Sequence, residues 1–268
     1  MAIQLPVFNP NIVSFGFIEI KYYSLAYIFG ILICWYLTKK LNNMQNEKVF
    51  DIKNKQFCDD FFYYAVLGII LGGRIGYVFL YNFNYYIHNI LDILKIWQGG
   101  MSFHGAFIGC LTSGYLLCKK YKIDFLKASD IIVFSIPIAL FLGRIANFIN
   151  LELYGRPTNV PWAIIFPYSD GLPRHPSQLY EALCEGVLTF LILIFITKKY
   201  KFKYEGLNTG VFFICYGIFR FVIEFFREPD QQIGYILNYF TMGQMLSIPL
   251  FIAGCYILSK SIYKKQNL

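Results

Sequence analysis

Residues 178–203 read QLYEALCEGVLTFLILIFITKKYKFK, and this stretch decides which solvent the chain folds in. About 20 mainly apolar residues, enough for a helix across a bilayer, run directly into Lys198, Lys199, Lys201 and Lys203. The pattern recurs along the chain. Apolar stretches occupy 19–38, 61–80, 102–118, 129–149, 178–197, 207–226 and 241–259. Three further lysine clusters punctuate them: Lys39, Lys40, Lys48, Lys53 and Lys55; Lys119, Lys120, Lys122 and Lys127; and Lys260, Lys264 and Lys265. Of the lysines, Lys21 and Lys95 alone lie elsewhere. One orientation puts every cluster on the cytoplasmic side, where short loops collect positive charge. The expectation is an all-α polytopic membrane protein, one integral membrane domain over residues 1–268. It is a seven-helix bundle with its N-terminus outside and its C-terminus cytoplasmic. The segments left outside are 1–18, 81–101, 150–177 and 227–240, and the longest, 150–177, holds Pro157, Pro161, Pro167, Pro173 and Pro176. Five prolines argue for a structured, irregular extracytoplasmic arm.

Composition agrees with a lipid solvent. The 268 residues are 57% hydrophobic, 20% aromatic and 15% charged, whereas soluble domains carry about 25% charge. Disordered, coiled-coil and disulfide-stapled classes are thereby excluded. The net charge of +8 does not indicate nucleic acid, because most of it sits in the topological lysine clusters. The opening Met-Ala-Ile-Gln-Leu-Pro lacks a basic n-region and a small-residue cleavage site, so the first span is expected to stay. The seven cysteines lie in or beside spans with no Cys-x-x-Cys, which points to neither a disulfide framework nor a zinc site.

Arginine follows a different rule from lysine. Arg74, Arg144, Arg156, Arg174, Arg220 and Arg227 avoid all four clusters. Ionisable groups inside a membrane need partners or a wet cavity. Tyr216, Arg220, Glu224 and Arg227 recur at i, i+4, i+8 and i+11 and share one helix face, which must point into the bundle. An Arg220–Glu224 pair would neutralise itself, yet two arginines against one carboxylate leave a positive surplus that suits an anion. Arg144 and Asn147 form a second polar pair at i, i+3, followed by Asn150 and Glu152. Arg144 has no carboxylate within one turn, so it either snorkels to the headgroups or forks onto a phosphate. Arg74 sits in Gly68-x-x-x-Gly72-Gly73-Arg74-Ile75-Gly76, whose small-x-x-x-small spacing reads as tight helix packing. For Arg74 itself, a link to a neighbouring helix and a ligand role are both open. His104 opens the third span; a lone membrane histidine is commonly a packing residue, but an imidazole here can also move a proton. His175, ahead of Pro176, reads as helix-start packing and His88 as an interfacial loop residue. These pieces describe a positive pocket near the outer leaflet with a candidate base.

Longer motifs go further. Gly72-Gly73-Arg74-Ile75-Gly76-Tyr77, Gly99-Gly100-Met101-Ser102-Phe103-His104-Gly105, Gly143-Arg144-Ile145-Ala146-Asn147-Phe148-Ile149-Asn150 and Glu152-Leu153-Tyr154-Gly155-Arg156-Pro157 stand in order. Arg174-His175-Pro176-Ser177-Gln178-Leu179-Tyr180-Glu181, Tyr216-Gly217-x-x-Arg220, Glu224-Phe225-Phe226-Arg227-Glu228-Pro229-Asp230 and Gly243-Gln244-x-Leu246-Ser247-Ile248-Pro249 follow. Together, from about residue 20 to residue 250, they resemble the bacterial prolipoprotein diacylglyceryl transferase family.

The resemblance implies transfer of the diacylglyceryl group of phosphatidylglycerol to the lipobox cysteine of a preprolipoprotein, with release of glycerol phosphate. It implies an inner-membrane enzyme working at the periplasmic face, without a metal or diffusible cofactor. Carried over by motif position, His104 is the base for the thiol, and Arg144 and Arg220 hold the lipid phosphate. Asn147, Glu152, Gly155, Tyr216 and Glu224 fall around the same pocket, with Tyr23 as the first-span tyrosine; Arg74 and Arg227 complete the candidate set. The rival reading is an anionic-lipid transporter or flippase, which needs a polar route to the cytoplasmic face; spans 3, 5 and 7 are apolar toward their inner ends. A non-catalytic scaffold and an intramembrane hydrolase fit less well, the latter for want of a Ser/His or paired-Asp arrangement.

Overall fold

Helical structure occupies most of every apolar stretch. In a computed structural model, residues 2–7, 11–15, 18–44, 56–229, 235, 236 and 239–266 are described. Lys48, Lys53 and Lys55 of the first lysine cluster, and Asp230 of the seventh motif, lie outside these residues. Among them, four helices are long and apolar enough to cross a membrane: Tyr22–Asn43, Phe57–Leu80, Ser177–Tyr200 and Met242–Tyr263. A fifth is added if Phe125–Val133 and Ile136–Ile149, bent by 45° at their junction, count as one span. The helix over 207–223 is apolar but has 17 residues, about 26 Å of rise against a hydrocarbon core of about 30 Å. The chain is thus a predominantly helical protein of membrane-spanning type.

Two compact units form, Met1–Lys40 with Ser129–Leu268, and Leu41–Ala128. The smaller unit is built on α2 (Phe57–Leu80) and α4 (Phe103–Tyr121), joined through α3 (Phe83–His88) and two short 3-10 turns, Ile90–Leu94 and Ile96–Gln98. Glycine lets the two long helices touch backbone to backbone. A Cβ at Gly72 would strike the Gly105 carbonyl, and one at Gly109 would strike that of Gly68. A Cβ at Gly76 would lie 2.8 Å from the Gly105 Cα. The small-residue spacing in the sequence therefore marks one helix interface. Arg74 emerges from α2 beside it and bonds the following segment. Its Nε donates to the Ile93 carbonyl (2.8 Å), Nη1 to Gly99 (2.7 Å) and Gly100 (3.1 Å), and Nη2 to Asp92 (2.6 Å) and Lys95 (3.4 Å). Its guanidinium also sits 5.2 Å from the Tyr86 ring centre. All five N–H groups are engaged by backbone, which leaves none for a lipid phosphate. Of the two open readings, these contacts support the structural one and speak against Arg74 as a ligand residue.

The larger unit contains α1 (Tyr22–Met44), α5 (Phe125–Val133), α6 (Ile136–Ile149), α7 (Ser177–Glu181), α8 (Thr189–Tyr200), α9 (Leu207–Ile223) and α10 (Met242–Gln266), with the first four residues of α5 and the last four of α1 belonging to the other. Gly30 of α1 packs on Ala139 of α6, where an added Cβ would approach to 3.1 Å. Asp130, buried, receives Gly206 N–H (2.6 Å), Thr209 N–H (2.8 Å) and Thr209 Oγ1 (2.7 Å), and so caps the start of α9 from another helix. Beyond α6 the proline-rich segment folds as an irregular arm. Its β2 (Ile164–Ile165) pairs parallel with β1 (Ile3–Gln4) and antiparallel with β3 (Pro173–Arg174).

Between α7 and α8 the fifth apolar stretch departs from α geometry. Ala182–Leu188 is a π-helix, continuous with the α-helical turns on either side. Ser177, Glu181, Glu185, Thr189 and Leu193, spaced by four, are all 0% exposed. In an unbroken α-helix a spacing of four drifts by about 40° per step, so five such residues could not share a face. The i→i+5 turn takes up nearly one more residue per turn and cancels that drift. One buried face with a four-residue period is the result.

Candidate active site

The site is assembled on the last turns of α6 and α9 and on the π-helical face between them. Arg144 Nη1 lies 3.2 Å from Glu181 Oε2, and its Nη2 lies 3.1 Å from Glu185 Oε2. Arg220 Nη1 pairs with Glu181 Oε1 and stands 3.8 Å from Glu185 Oε1, while its Nη2 lies 3.1 Å from Glu224 Oε2. Arg227 Nη1 reaches Glu181 Oε1 at 3.4 Å. Glu181 and Glu185 are 0% exposed, yet the Arg144 and Arg220 side chains keep 15% and 13% of their surface. The carboxylates lie behind the guanidiniums, and the open faces belong to the cations.

This corrects the charge balance read from the sequence. Arg144 does have carboxylate partners, supplied in space by Glu181 and Glu185, and the arginines carry no positive surplus among the described residues. The Arg220–Glu224 pair expected from the i, i+4 spacing is present, one part of a larger network. Buried charges of opposite sign hold each other in register, and removing one partner strands the other at a cost of about 3–5 kcal/mol.

Around this core, the other candidate residues fall into two groups. Tyr216, stacked on Phe212 (6.0 Å between ring centres), is close enough to feel the charges of Glu185, Arg220 and Arg144. Tyr23 bonds Tyr27 hydroxyl to hydroxyl (2.8 Å) and lies within electrostatic reach of Glu152 and Arg144. Asn147 Nδ2 donates to Glu152 Oε1 (2.7 Å), and Gln178 Nε2 to the Glu152 carbonyl (2.7 Å). Leu151 and Leu153, on either side of Glu152, both hold φ of +59°, a left-handed conformation that non-glycine residues adopt at a cost of about 1–3 kcal/mol. The bonds from Asn147 and Gln178 to Glu152 hold the chain in this strained turn where it leaves α6 for the arm.

Gly155 and Arg156 lock the arm to the end of α9. Gly155 N–H donates to the His175 carbonyl (2.8 Å) and Arg156 N–H to that of Phe226 (2.9 Å). A Cβ on Gly155 would lie 2.5 Å from the Phe226 oxygen and 2.6 Å from the His175 Cβ, so glycine is required by the close approach of two backbones. Arg156 Nε adds a bond to the Arg227 carbonyl (2.9 Å). Arg174, also in the arm, bonds Asp170 (2.6 Å), Glu228 (2.9 Å) and the Gly155 carbonyl (2.9 Å). Its guanidinium pulls the Asp170 carboxyl down to about 2. His175, whose Nδ1 lies 3.1 Å from the Tyr180 hydroxyl, has its pKa lowered by partial burial.

His104 belongs to the smaller unit, as the second residue of α4, whose N-terminus is capped by Ser102 Oγ accepting from Gly105 N–H (3.3 Å). Glu181, Glu185, Arg156 and Gly243 were not singled out by spacing or polarity in the sequence. For the two glutamates the four-residue period from Ser177 to Leu193 was the available signal. Gly243 faces Glu224: a Cβ there would lie 2.6 Å from the carboxyl carbon.

The fold and this cluster define a helical protein of membrane-spanning type in which buried carboxylates back two partly open guanidiniums. The match to known proteins is more specific. The family model described as prolipoprotein diacylglyceryl transferase covers residues 10–260. The phosphatidylglycerol–prolipoprotein diacylglyceryl transferase of Rickettsia rickettsii (strain Sheila Smith) is 52% identical over 257 residues, 96% of this chain and 98% of that protein. That of Rickettsia canadensis (strain McKiel) is 52% identical over 260 residues, 97% of this chain and 99% of its own. The chain belongs to the prolipoprotein diacylglyceryl transferase family and is a transferase.

Proposed function

We propose that this chain transfers the diacylglyceryl group of phosphatidylglycerol to the thiol of the lipobox cysteine in a preprolipoprotein. The thiol sulfur bonds to the glyceryl carbon, the bond from that carbon to the phosphate oxygen breaks, and its electron pair leaves with glycerol phosphate. Negative charge then grows on the departing oxygen. The open faces of Arg144 and Arg220 are the groups suited to meet it, in a site where water is scarce and a fixed cation acts strongly. Those two guanidiniums, bridged by Glu181 and Glu185 behind them, are the observation that carries this reading, together with family membership. His104 is our assignment for the group that takes the thiol proton. Asn147, Glu152, Tyr216 and Tyr23 line the lipid headgroup, and Glu224, Gly155 and Arg227 hold the two arginines and the arm in place.

In the same reading the chain crosses the bacterial inner membrane seven times, with the lysine clusters cytoplasmic and the arm and site toward the periplasmic face. Four helices of full spanning length, or five with the bent pair counted as one span, support that topology.

The test is thioether formation on a lipobox peptide by purified protein in micelles containing phosphatidylglycerol. Wild type should yield lipidated peptide and free glycerol phosphate in equal amounts. Arg144→Ala and Arg220→Ala should each lower the rate by about 100- to 1,000-fold, the usual loss of one charge-stabilising donor. His104→Gln should lower it too and flatten its pH dependence. Folded wild type that makes no thioether with any phospholipid overturns the assignment.

A further inference from the structure

The cluster is full before any lipid arrives. Arg144, Arg220 and Arg227 share ion pairs with Glu181, Glu185 and Glu224, three cations against three carboxylates. Counting Arg156, bonded to the Arg227 carbonyl, and Glu152, bonded to Asn147, leaves the balance at zero. A phosphodiester entering this site adds one negative charge to a balanced cluster in which Glu181 and Glu185 are 0% exposed. Either an ion pair opens or a group gives up charge.

The carboxylates are not equally held. Glu181 lies among three guanidiniums, with Arg220 and Arg227 on Oε1 and Arg144 on Oε2. Glu224 Oε2 has Arg220 at 3.1 Å. Glu185 has one close partner, Arg144 on Oε2. Its Oε1, like Glu181 Oε2 and Glu224 Oε2, is buried and accepts no hydrogen bond, but those two have a guanidinium nitrogen at 3.2 and 3.1 Å, whereas Arg220 Nη1 stands 3.8 Å from Glu185 Oε1. The groups facing it are Arg144 from α6, Arg220 and Tyr216 from α9, and Glu181 one turn back on its own helix.

We propose that Glu185 is a proton-binding residue, taking one proton from water as an anionic phosphodiester headgroup settles on Arg144 and Arg220 and returning it when the headgroup leaves. The inference rests on the lipid-binding reading above. Its chemistry balances simply: carboxylate plus proton gives carboxylic acid, and the site gains one negative and one positive charge together. Protonation also releases Arg144 Nη2 to the phosphate and turns an acceptor-only group into a hydrogen-bond donor. The π turn serves this arrangement by keeping Glu185 on the buried face beside Glu181.

The experiment is calorimetry of phosphatidylglycerol binding to the full chain in detergent micelles, run at one pH in two buffers of different ionisation enthalpy. Wild type should take up one proton per lipid, and its affinity should fall about tenfold per pH unit once the free site has lost that proton. Glu185→Gln should bind with no uptake and with an affinity that no longer depends on pH, whereas a purely structural role for Glu185 would leave uptake unchanged. Wild type binding without uptake, or Glu185→Gln still taking up a proton, overturns the proposal and leaves the lipid-binding reading intact. Wild type that binds no phosphatidylglycerol at any pH overturns both. Should Glu185→Gln fail to fold, infrared difference spectra of wild type carry the test: lipid must bring up a protonated-carboxyl band, and its absence refutes the proposal.

Discussion

Gly243→Ala should separate activity from stability, because the three atoms nearest the one it adds all belong to the Glu224 carboxylate. The new Cβ would lie 2.6 Å from the Glu224 carboxyl carbon and Oε2 and 2.7 Å from Oε1. Ordinary contact needs about 3.4–4 Å, so the carboxylate must retreat by close to 1 Å. Glu224 Oε2 stands 3.1 Å from Arg220 Nη2, and such a retreat takes the pair to the edge of ion-pair range. Arg220 would then turn further toward Glu181. Because the displaced atoms end a flexible side chain, the fold should yield cheaply, and the substitution lies in the first turn of α10, where it does not disturb the helix interior. A misplacement of about 1 Å at a group that orients a reacting centre costs on the order of 100-fold in rate. The expected result is thioether formation reduced by one to two orders of magnitude with an unchanged melting temperature. Adding Glu224→Asp shortens the acid by one bond, about 1.5 Å, and should restore part of the rate. Gly243→Ala with wild-type turnover, or a double variant slower than either single one, would refute the reasoning.

Gly105→Val should disrupt the α2–α4 interface, since even its Cβ would strike the Gly72 carbonyl; overpacking of this kind costs about 1–3 kcal/mol and should appear as a lowered melting temperature in detergent. Arg74→Ala should strip partners from the carbonyls of Asp92, Ile93, Gly99 and Gly100, and faster protease cleavage within 90–100 would show it; Arg74→Lys, with three donors for five, should protect only in part. Asp170, held at about 2 by Arg174, supports the arm above the free carboxyl value near 3.8 and loses that support as pH falls through about 2. Wild type should therefore be more stable than Asp170→Asn at pH 6, with the difference vanishing toward pH 2; a difference that persists there would assign the effect to something other than the carboxylate's charge.

Much of the fold was written in one-dimensional features. Length of apolar run is a property of a single segment, so the long helices fall where the apolar stretches lie, although α1 and α10 run six and seven residues beyond the ends read for them. The breaks were harder to see. Ser135 and Pro137 mark the junction where α5 and α6 bend, yet 129–149 reads as a continuous span because Ile, Val, Phe and Leu fill both sides. The shortness of α9 was hidden in the same way: Glu224–Phe226 continues the apolar run after the helix has ended, and the arm holds the chain there through Phe226 and Arg227.

For the site, what was legible was what lies on one helix, and what was missed is what lies between helices. Arg220 and Glu224 are four residues apart, so their pairing follows from α-helical geometry alone. Arg144 and Glu185 are 41 residues apart, and no spacing rule joins them. Reading Arg144 as unpartnered was sound within its own turn and wrong in space. The error changes the chemistry. A site with surplus positive charge would bind its anion and hold it, whereas a balanced one must move a proton or loosen an ion pair each time an anion enters or leaves. In a transfer reaction whose leaving group is itself a phosphate, a site without surplus charge can let that product go.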